Sequence, residues 1–227
     1  MSVFILKILA LIFMIIDHIG YFFIKNDTYI IYRIIGRMAA PIFLFLFVEG
    51  YLKTSNRKKY QYRLLFFSII MFIGNFILSL FFEKMYPINT NIIWTMFLCS
   101  LFLTIIENKN FNIYKKIFML FLLLFPIYFS EYSFIALFNV LFFYIYLKQL
   151  TIKKSSILIK TIFVNFYIVF FLIYCLIIKN IIQYFMIFSL FFILLYNFKL
   201  GKKNKYIQYF YYFFYIIHLW LFVLFIN

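Results

Sequence analysis

Charge is scarce in this chain of 227 residues: 12% of it is Asp, Glu, Lys or Arg, against 68% hydrophobic residues and a mean hydropathy of +1.05. A soluble domain of this length must cover itself with polar groups, so the shortage excludes water as the main solvent. Cysteine is scarcer still. Cys99 and Cys175 fall in separate apolar runs, far apart in sequence, which gives no support to a disulfide framework or a thiol-based metal site and points to packing or lipid-facing roles. Also missing are a polar segment longer than a loop, an internal repeat, a linker, and a small-residue cleavage site after the first apolar run. The run from Val3 to Ile24 therefore reads as a membrane span rather than a cleaved signal. The whole chain, 1–227, reads as a single integral membrane domain.

What is present is basic charge between apolar runs. With 22 Lys and Arg against 6 Asp and Glu, the net charge is +16. In a soluble protein that would suggest nucleic acid. Here the bases sit in short connections, where they orient a membrane protein, and lipid rather than nucleic acid is the expected partner. The abundance of Phe, Ile, Tyr, Lys and Asn also looks like the imprint of an AT-rich genome and carries no functional weight.

A helix crossing about 30 Å of hydrocarbon needs roughly 20 apolar residues. Runs of that kind predict an all-α, polytopic transmembrane bundle of about nine spans (eight to ten), near 3–24, 32–52, 61–82, 91–106, 113–130, 133–149, 157–178, 181–198 and 206–226. Two stretches decide the count. Residues 117–147 carry one charge, Glu131, and 161–198 are broken by Lys179-Asn180; each could be one long span or two short ones. Nine spans place Lys53, Arg57, Lys58, Lys59 and Arg63 on the same side as Lys109, Lys115, Lys116, Lys148, Lys153, Lys154, Lys199, Lys202, Lys203 and Lys205. Little beyond Lys25, Lys84 and Lys179 is left opposite. Basic loops stay in the cytoplasm, so the N-terminus is expected inside and the C-terminus outside.

An ionisable residue within a span is costly and is a functional candidate by default, with a paired structural role as the alternative. Lys7 and His18 are eleven residues apart, almost three full turns, so they share a helix face about 16 Å apart, with Lys7 near the cytoplasmic surface and His18 deep. Lys7 as a contact for a cytoplasmic carrier competes with simple snorkelling, and His18 as a general base competes with a packing histidine. Asp17 points to a different face and could pair with an arginine of the second span. Arg33 and Arg37, one turn apart, share a face at that level and suit either an Asp–Arg pair or an anion site. Glu49 lies close enough to the basic loop to pair with it. Glu131, in a predicted outer turn, and His218, in the last span, could face a cavity with His18. No third ligand at a recognisable spacing accompanies the two histidines, so no metal site is expected. Asn89, with Thr90 and Asn91, and Asn197 read as helix caps or substrate contacts, caps being the simpler role.

The segments LKILALIFMIIDHIG (6–20), RIIGRMAAPIFLFLFVEGYLKTSNRKKYQYRLLFF (33–67) and LLYNFKLGKKNKYIQYFYYFFYIIHLW (194–220) together resemble the TraX family, which is associated with acetylation of the N-terminus of conjugative pilin. The specific part is DHIG, then IGR-x-x-x-P, then EG before the basic NRKKY loop. The middle, about residues 68–190, matches mainly by hydrophobic layout. This chain departs from the family pattern at Glu131-Tyr132-Ser133, where an Asp-Tyr-Gly turn is favoured. It departs again at Phe198, where Gly follows Tyr-Asn, and at Tyr215-Ile216, where Tyr-Pro precedes the final His-Leu. The Lys7–His18 spacing is also similar to the first-helix motif of membrane acyltransferases that carry acyl groups from cytoplasmic acyl-CoA to extracytoplasmic acceptors.

The resemblance implies an acetyltransferase of the bacterial inner membrane, with acetyl-CoA as co-substrate and no permanently bound cofactor. The phosphates of the carrier would meet Lys7, Arg57, Lys58, Lys59 and Arg63. His18 would be the base or acyl carrier, supported by Asp17 and Arg37. Arg33, Glu49, Asn89, Glu131, Asn197, Tyr215 and His218 would line the substrate side. The acceptor would be an extracytoplasmic protein amine or a surface glycan. A transporter or flippase using the buried charges as a path, and a pilus-assembly scaffold in which they only specify packing, remain as alternatives. The sequence offers transport less support, having no repeat and no evident pair of Gly/Pro-interrupted helices.

Overall fold

Apolar runs punctuated by Asn, Ser and Pro give helices whose ends can be read residue by residue. The structure is a computed structural model describing residues 1–82, 91–152, 157–199, 201 and 205–226. Every regular element among the described residues is helical: α1 (Val3–Phe22), α2 (Tyr29–Gly36), α3 (Ala39–Lys53), α4 (Arg57–Phe81), α5 (Ile92–Glu107), α6 (Ile113–Tyr128), α7 (Ser133–Ile152), α8 (Ile157–Ile178), a 3-10 helix (Ile181–Phe188), α9 (Ser189–Leu194) and α10 (Lys205–Ile226). Asn89, Thr90 and the loop lysines 84, 153, 154, 202 and 203 lie outside the described residues.

Each expected span is met by helix, two of them as interrupted pairs, α2 with α3 and the 3-10 helix with α9. Six stretches are long and apolar enough to cross a membrane: Val3–Phe22, Tyr29–Lys53, Arg57–Phe81, Ser133–Leu150, Ile157–Ile178 and Tyr209–Ile226. The other three fall short of that length. Asn91 and Asn108 bound α5 at 16 residues. The same length in α6 ends two residues after Pro126, whose ring and missing N–H disrupt the last turn. Ile181–Leu194 is short as well, an apolar segment like α5.

Side-chain caps set the helix starts. Asn56 Oδ1 accepts the Lys59 N–H at 2.9 Å, Asn91 Oδ1 the Trp94 N–H at 3.1 Å, and Asn112 Oδ1 the Lys115 N–H at 2.8 Å. Each cap satisfies a donor that the first turn cannot pair internally. Both uncertain stretches are broken. Tyr132 (φ 59°) and Ser133 (φ 42°) turn the chain between α6 and α7, and Lys179 (φ 54°) with the Asn180 cap ends α8.

The described residues form two compact units, with α3, α7 and α10 contributing a segment to each. The first comprises Met1–Leu46 and Phe143–Tyr209. Its aromatic core includes Tyr146 stacked on Phe163 at 3.7 Å between ring centroids, and Phe45 edge-on to Phe143 at 5.4 Å. The second comprises Phe47–Phe142 and Phe210–Phe225. There Phe67 stacks on Tyr212 at 4.6 Å, and the Trp220 indole N–H donates to Asn75 Oδ1 at 3.0 Å.

Candidate functional site

Helix α1 runs unbroken from Val3 to Phe22, so Lys7 and His18 keep the shared face that their spacing implies. Both are half-buried, and the His18 ring lies 6.2 Å from that of Phe22. Asp17, about 100° around the helix from His18, is buried. Its Oδ2 accepts from Arg33 Nη1 at 2.7 Å, and Arg37 Nη2 reaches Oδ1 at 3.0 Å and Oδ2 at 3.1 Å. The expected Asp–Arg pair is therefore a cluster of three in which both arginines take part. Arg37 is the deeper, its side chain 6% exposed against 21% for Arg33, whose guanidinium also lies 4.8 Å over the Tyr21 ring.

The local backbone makes this cluster possible. Pro41 has no N–H, and its ring would clash with the carbonyl of Arg37, so a helix begun at Tyr29 cannot run straight through. Accordingly α2 ends at Gly36 and α3 begins at Ala39. The Arg37 N–H still bonds the Arg33 carbonyl at 3.0 Å, which keeps the two arginines one turn apart. A Cβ at Gly36 would overlap the Asp17 side chain, and one at Gly20 would overlap Cβ of Tyr32. The two glycines let the backbones of α1 and α2 approach closely enough for short, straight ion pairs. DHIG and IGR-x-x-x-P are thus two halves of one device.

Other candidates in this unit have local roles. Asn197 Oδ1 accepts the Lys199 N–H at 3.1 Å and its own N–H donates to the Met1 carbonyl at 2.9 Å, an Asx-type turn.

Glu49, Arg57, Lys58, Lys59, Arg63, Glu131, Tyr215 and His218 belong to the second unit. Glu49 is buried and pairs with Lys53 one turn on at 2.5 Å, the pairing role the sequence suggests. Arg57 forms an ion pair with Glu107 and lies 4.9 Å over the Tyr51 ring. Arg63 lies over Tyr60 at 5.1 Å and over Tyr212 at 5.7 Å. Lys58 and Lys59 are exposed. Of the basic loop, then, the lysines face outward while the arginines are engaged by this unit's own side chains.

Tyr215 is buried; its hydroxyl donates to Glu131 Oε2 at 3.3 Å and accepts the Ile92 N–H at 3.2 Å, the first of α5. Thr95 Oγ1 donates to the Glu131 carbonyl at 2.9 Å. His218 Nδ1 lies 2.7 Å from the Phe214 carbonyl, which can only accept, so this nitrogen carries the proton. Its ring stacks on Phe214 at 5.4 Å and meets Phe222 edge-on. Among the described residues no three of His, Cys, Asp and Glu come together as a metal site would need.

Asn75, Asn139 and Asn165, amides within apolar helices, are not among the candidates that the sequence singles out; Asn75 and Asn139 are buried and hydrogen-bonded. Their signal in the sequence is a hydrogen-bonding side chain in the middle of an apolar run.

A family model described as TraX protein matches residues 2–226. The chain belongs to the TraX family. One relative, named probable fimbrial assembly protein FimC, serogroup H1, from Dichelobacter nodosus, is 39% identical over 71 residues, 30% of this chain and 29% of that protein. The matched stretch thus spans under a third of the relative's length. No solved structure matches. Ser133 and Phe198, the two positions where the resemblance implies a preference for Gly, adopt φ of 42° and 61°, in the left-handed region that suits glycine.

Proposed function

We propose that this chain is a membrane acetyltransferase of the bacterial inner membrane, acting in pilus or surface modification. It moves an acetyl group from cytoplasmic acetyl-CoA to an extracytoplasmic acceptor, a protein amine or a surface glycan. The observation that carries the reading is the Asp17–Arg33–Arg37 cluster, which locks α1 against α2 with His18 as the next residue. Membership of the TraX family and the fimbrial-assembly name of one relative support the setting.

In this reading Lys7 of the first unit meets the carrier phosphates, and the exposed Lys58 and Lys59 of the second unit raise the local concentration of anionic acetyl-CoA through their charge alone. His18 removes a proton from the acceptor as it attacks the thioester carbonyl. Asp17, held by two guanidiniums, is a positioning residue that fixes the helix carrying His18. Two arginines against one carboxylate give the cluster a formal +1 charge, which favours negative charge developing on the carbonyl oxygen. Arg33, the less buried of the two, is the arginine within reach of a substrate.

Purified protein in nanodiscs, given acetyl-CoA and a panel of amine and glycan acceptors, should release free CoA in an acceptor-dependent way, and His18→Ala should abolish that release. Full turnover by a folded His18→Ala protein would sink the role of His18, and absence of acetyl-CoA binding by the wild type would sink the enzyme.

A second reading, transport or lipid flipping, gains one observation. Tyr29–Lys53 is interrupted between Gly36 and Ala39, and Ile181–Leu194 changes from 3-10 to α-helix at Ser189. Broken helices of this kind often build substrate paths in transporters. Solute movement across vesicles without CoA turnover would favour it.

A further inference from the structure

Helix α8 has two faces of different character. Phe163, Tyr167 and Phe171 are buried on one, where they contact one another and Phe143 and Tyr146. Opposite them run Leu158, Ile162, Asn165, Val169, Leu172 and Leu176, all exposed, from 44% at Leu172 to 78% at Leu176. Of the six candidate spans, α8 is the least covered by the rest of the chain. The spacing of the exposed set alternates four, three, four, three, four, the 3.5-residue repeat of a helix seam, and keeps all six within about 40° of one line.

Five of the six are aliphatic and need nothing but lipid. Asn165 is different. It sits close to the middle of Ile157–Ile178, and its side chain makes no hydrogen bond among the described residues. A carboxamide has two N–H donors and an acceptor oxygen, and hydrocarbon satisfies none of them. Lipid alone is a poor cover for this face.

We infer that this stripe of α8 is a self-association surface, along which two copies of the chain meet with their Asn165 amides hydrogen-bonded to each other. The partner follows from symmetry. Two copies in one membrane have the same orientation, so their α8 helices run parallel and a two-fold axis along the membrane normal brings Asn165 opposite Asn165 at equal depth. Each amide can then donate to the other's oxygen, while the aliphatic residues above and below interlock as knobs into holes. A polar residue at one seam position also fixes the register, since sliding either helix by a turn separates the amides.

The test uses full-length protein labelled separately with donor and acceptor fluorophores and reconstituted in vesicles over a range of protein-to-lipid ratios. Energy transfer should rise to a plateau in the wild type. Asn165→Leu should shift the midpoint roughly tenfold toward higher protein density, and Asn165→Gln, which keeps the amide, should shift it far less. Leucine on a lipid-exposed face does not impair insertion, so the comparison is between folded proteins. In a Cys175→Ala background, with Cys99 buried, Ile162→Cys, Val169→Cys and Leu172→Cys, each of which keeps the Asn165 amide, should cross-link between copies. Cysteines at the exposed but off-stripe positions Phe166 and Ile177 should not. A protein that stays monomeric at every density overturns the inference, as would self-association that Asn165→Leu leaves unchanged with cross-links centred on Phe166 and Ile177.

Discussion

Arg37, the residue that caps α2, places one terminal nitrogen against both carboxylate oxygens of Asp17, at 3.0 and 3.1 Å, twenty residues away in sequence and on α1. Removing one partner of a buried ion pair strands the other charge, which typically costs about 3–5 kcal/mol, whereas replacing both with apolar groups is far milder. Asp17→Ala should therefore sharply lower resistance to unfolding by SDS in mixed micelles. Asp17→Leu combined with Arg33→Leu and Arg37→Met should recover much of the loss and still abolish acetyl transfer. Equal damage in the single and triple variants would mean that the cluster does not act as a unit.

The close approach of α1 and α2 can be tested with one methyl group. A Cβ at Gly36 would overlap Asp17, and overpacking of this kind costs about 1–3 kcal/mol. Gly36→Ala should destabilise the protein by that order. At Gly50 the nearest atom to an added Cβ is the Tyr60 hydroxyl at 3.2 Å, the end of a side chain, so Gly50→Ala should be milder.

Ser133 holds φ of 42° at the start of α7. A side chain in left-handed backbone costs about 1–2 kcal/mol, so Ser133→Gly should raise stability by about 1 kcal/mol. The same change at Phe198 should gain less, because its ring contacts Tyr196 at 4.8 Å and that packing would be lost. The check is a pair of unfolding midpoints, with Ser133→Gly the higher.

Within the basic loop the two lysines and two arginines should separate by phenotype. Lys58 and Lys59 are exposed, so neutralising both should raise the KM for acetyl-CoA, by roughly three- to tenfold and less at high salt, with kcat unchanged. Arg57→Gln breaks the pair with Glu107 and should lower stability before it alters KM. A KM effect confined to Arg57 and Arg63 would relocate the carrier site.

Tyr215→Phe removes the hydroxyl shared by Glu131 and the Ile92 N–H. With a buried donor left unsatisfied, the cost should be about 1–3 kcal/mol. Amide exchange at the start of α5 should quicken, a change that simple loss of packing would not confine to that turn.

The division between what could be read early and what could not follows the range of the interactions. Helix positions, the breaks at Glu131 and Lys179-Asn180, the capping role of Asn91 and the pairing of Glu49 with the loop all depend on residues within a turn or two of one another. For these, hydropathy and helix-end chemistry suffice. That Asp17 takes both Arg33 and Arg37 was legible only as a choice among pairs, because it requires Gly20, Gly36 and the Pro41 break to bring two helices together. The fates of Arg57 and Arg63 were not legible at all, since Glu107 and Tyr212 lie far along the chain and a loop arginine looks the same whether it faces solvent or a neighbour.

By itself, then, the sequence determined an all-helical membrane protein and the places where its helices start and stop, because the length of an apolar run and the capping of its ends are local physics. Only the tertiary structure decided which charges are already neutralised and which remain exposed, because an ion pair within the bilayer is made by whichever helices pack together, and packing is settled by side chains dozens of residues apart.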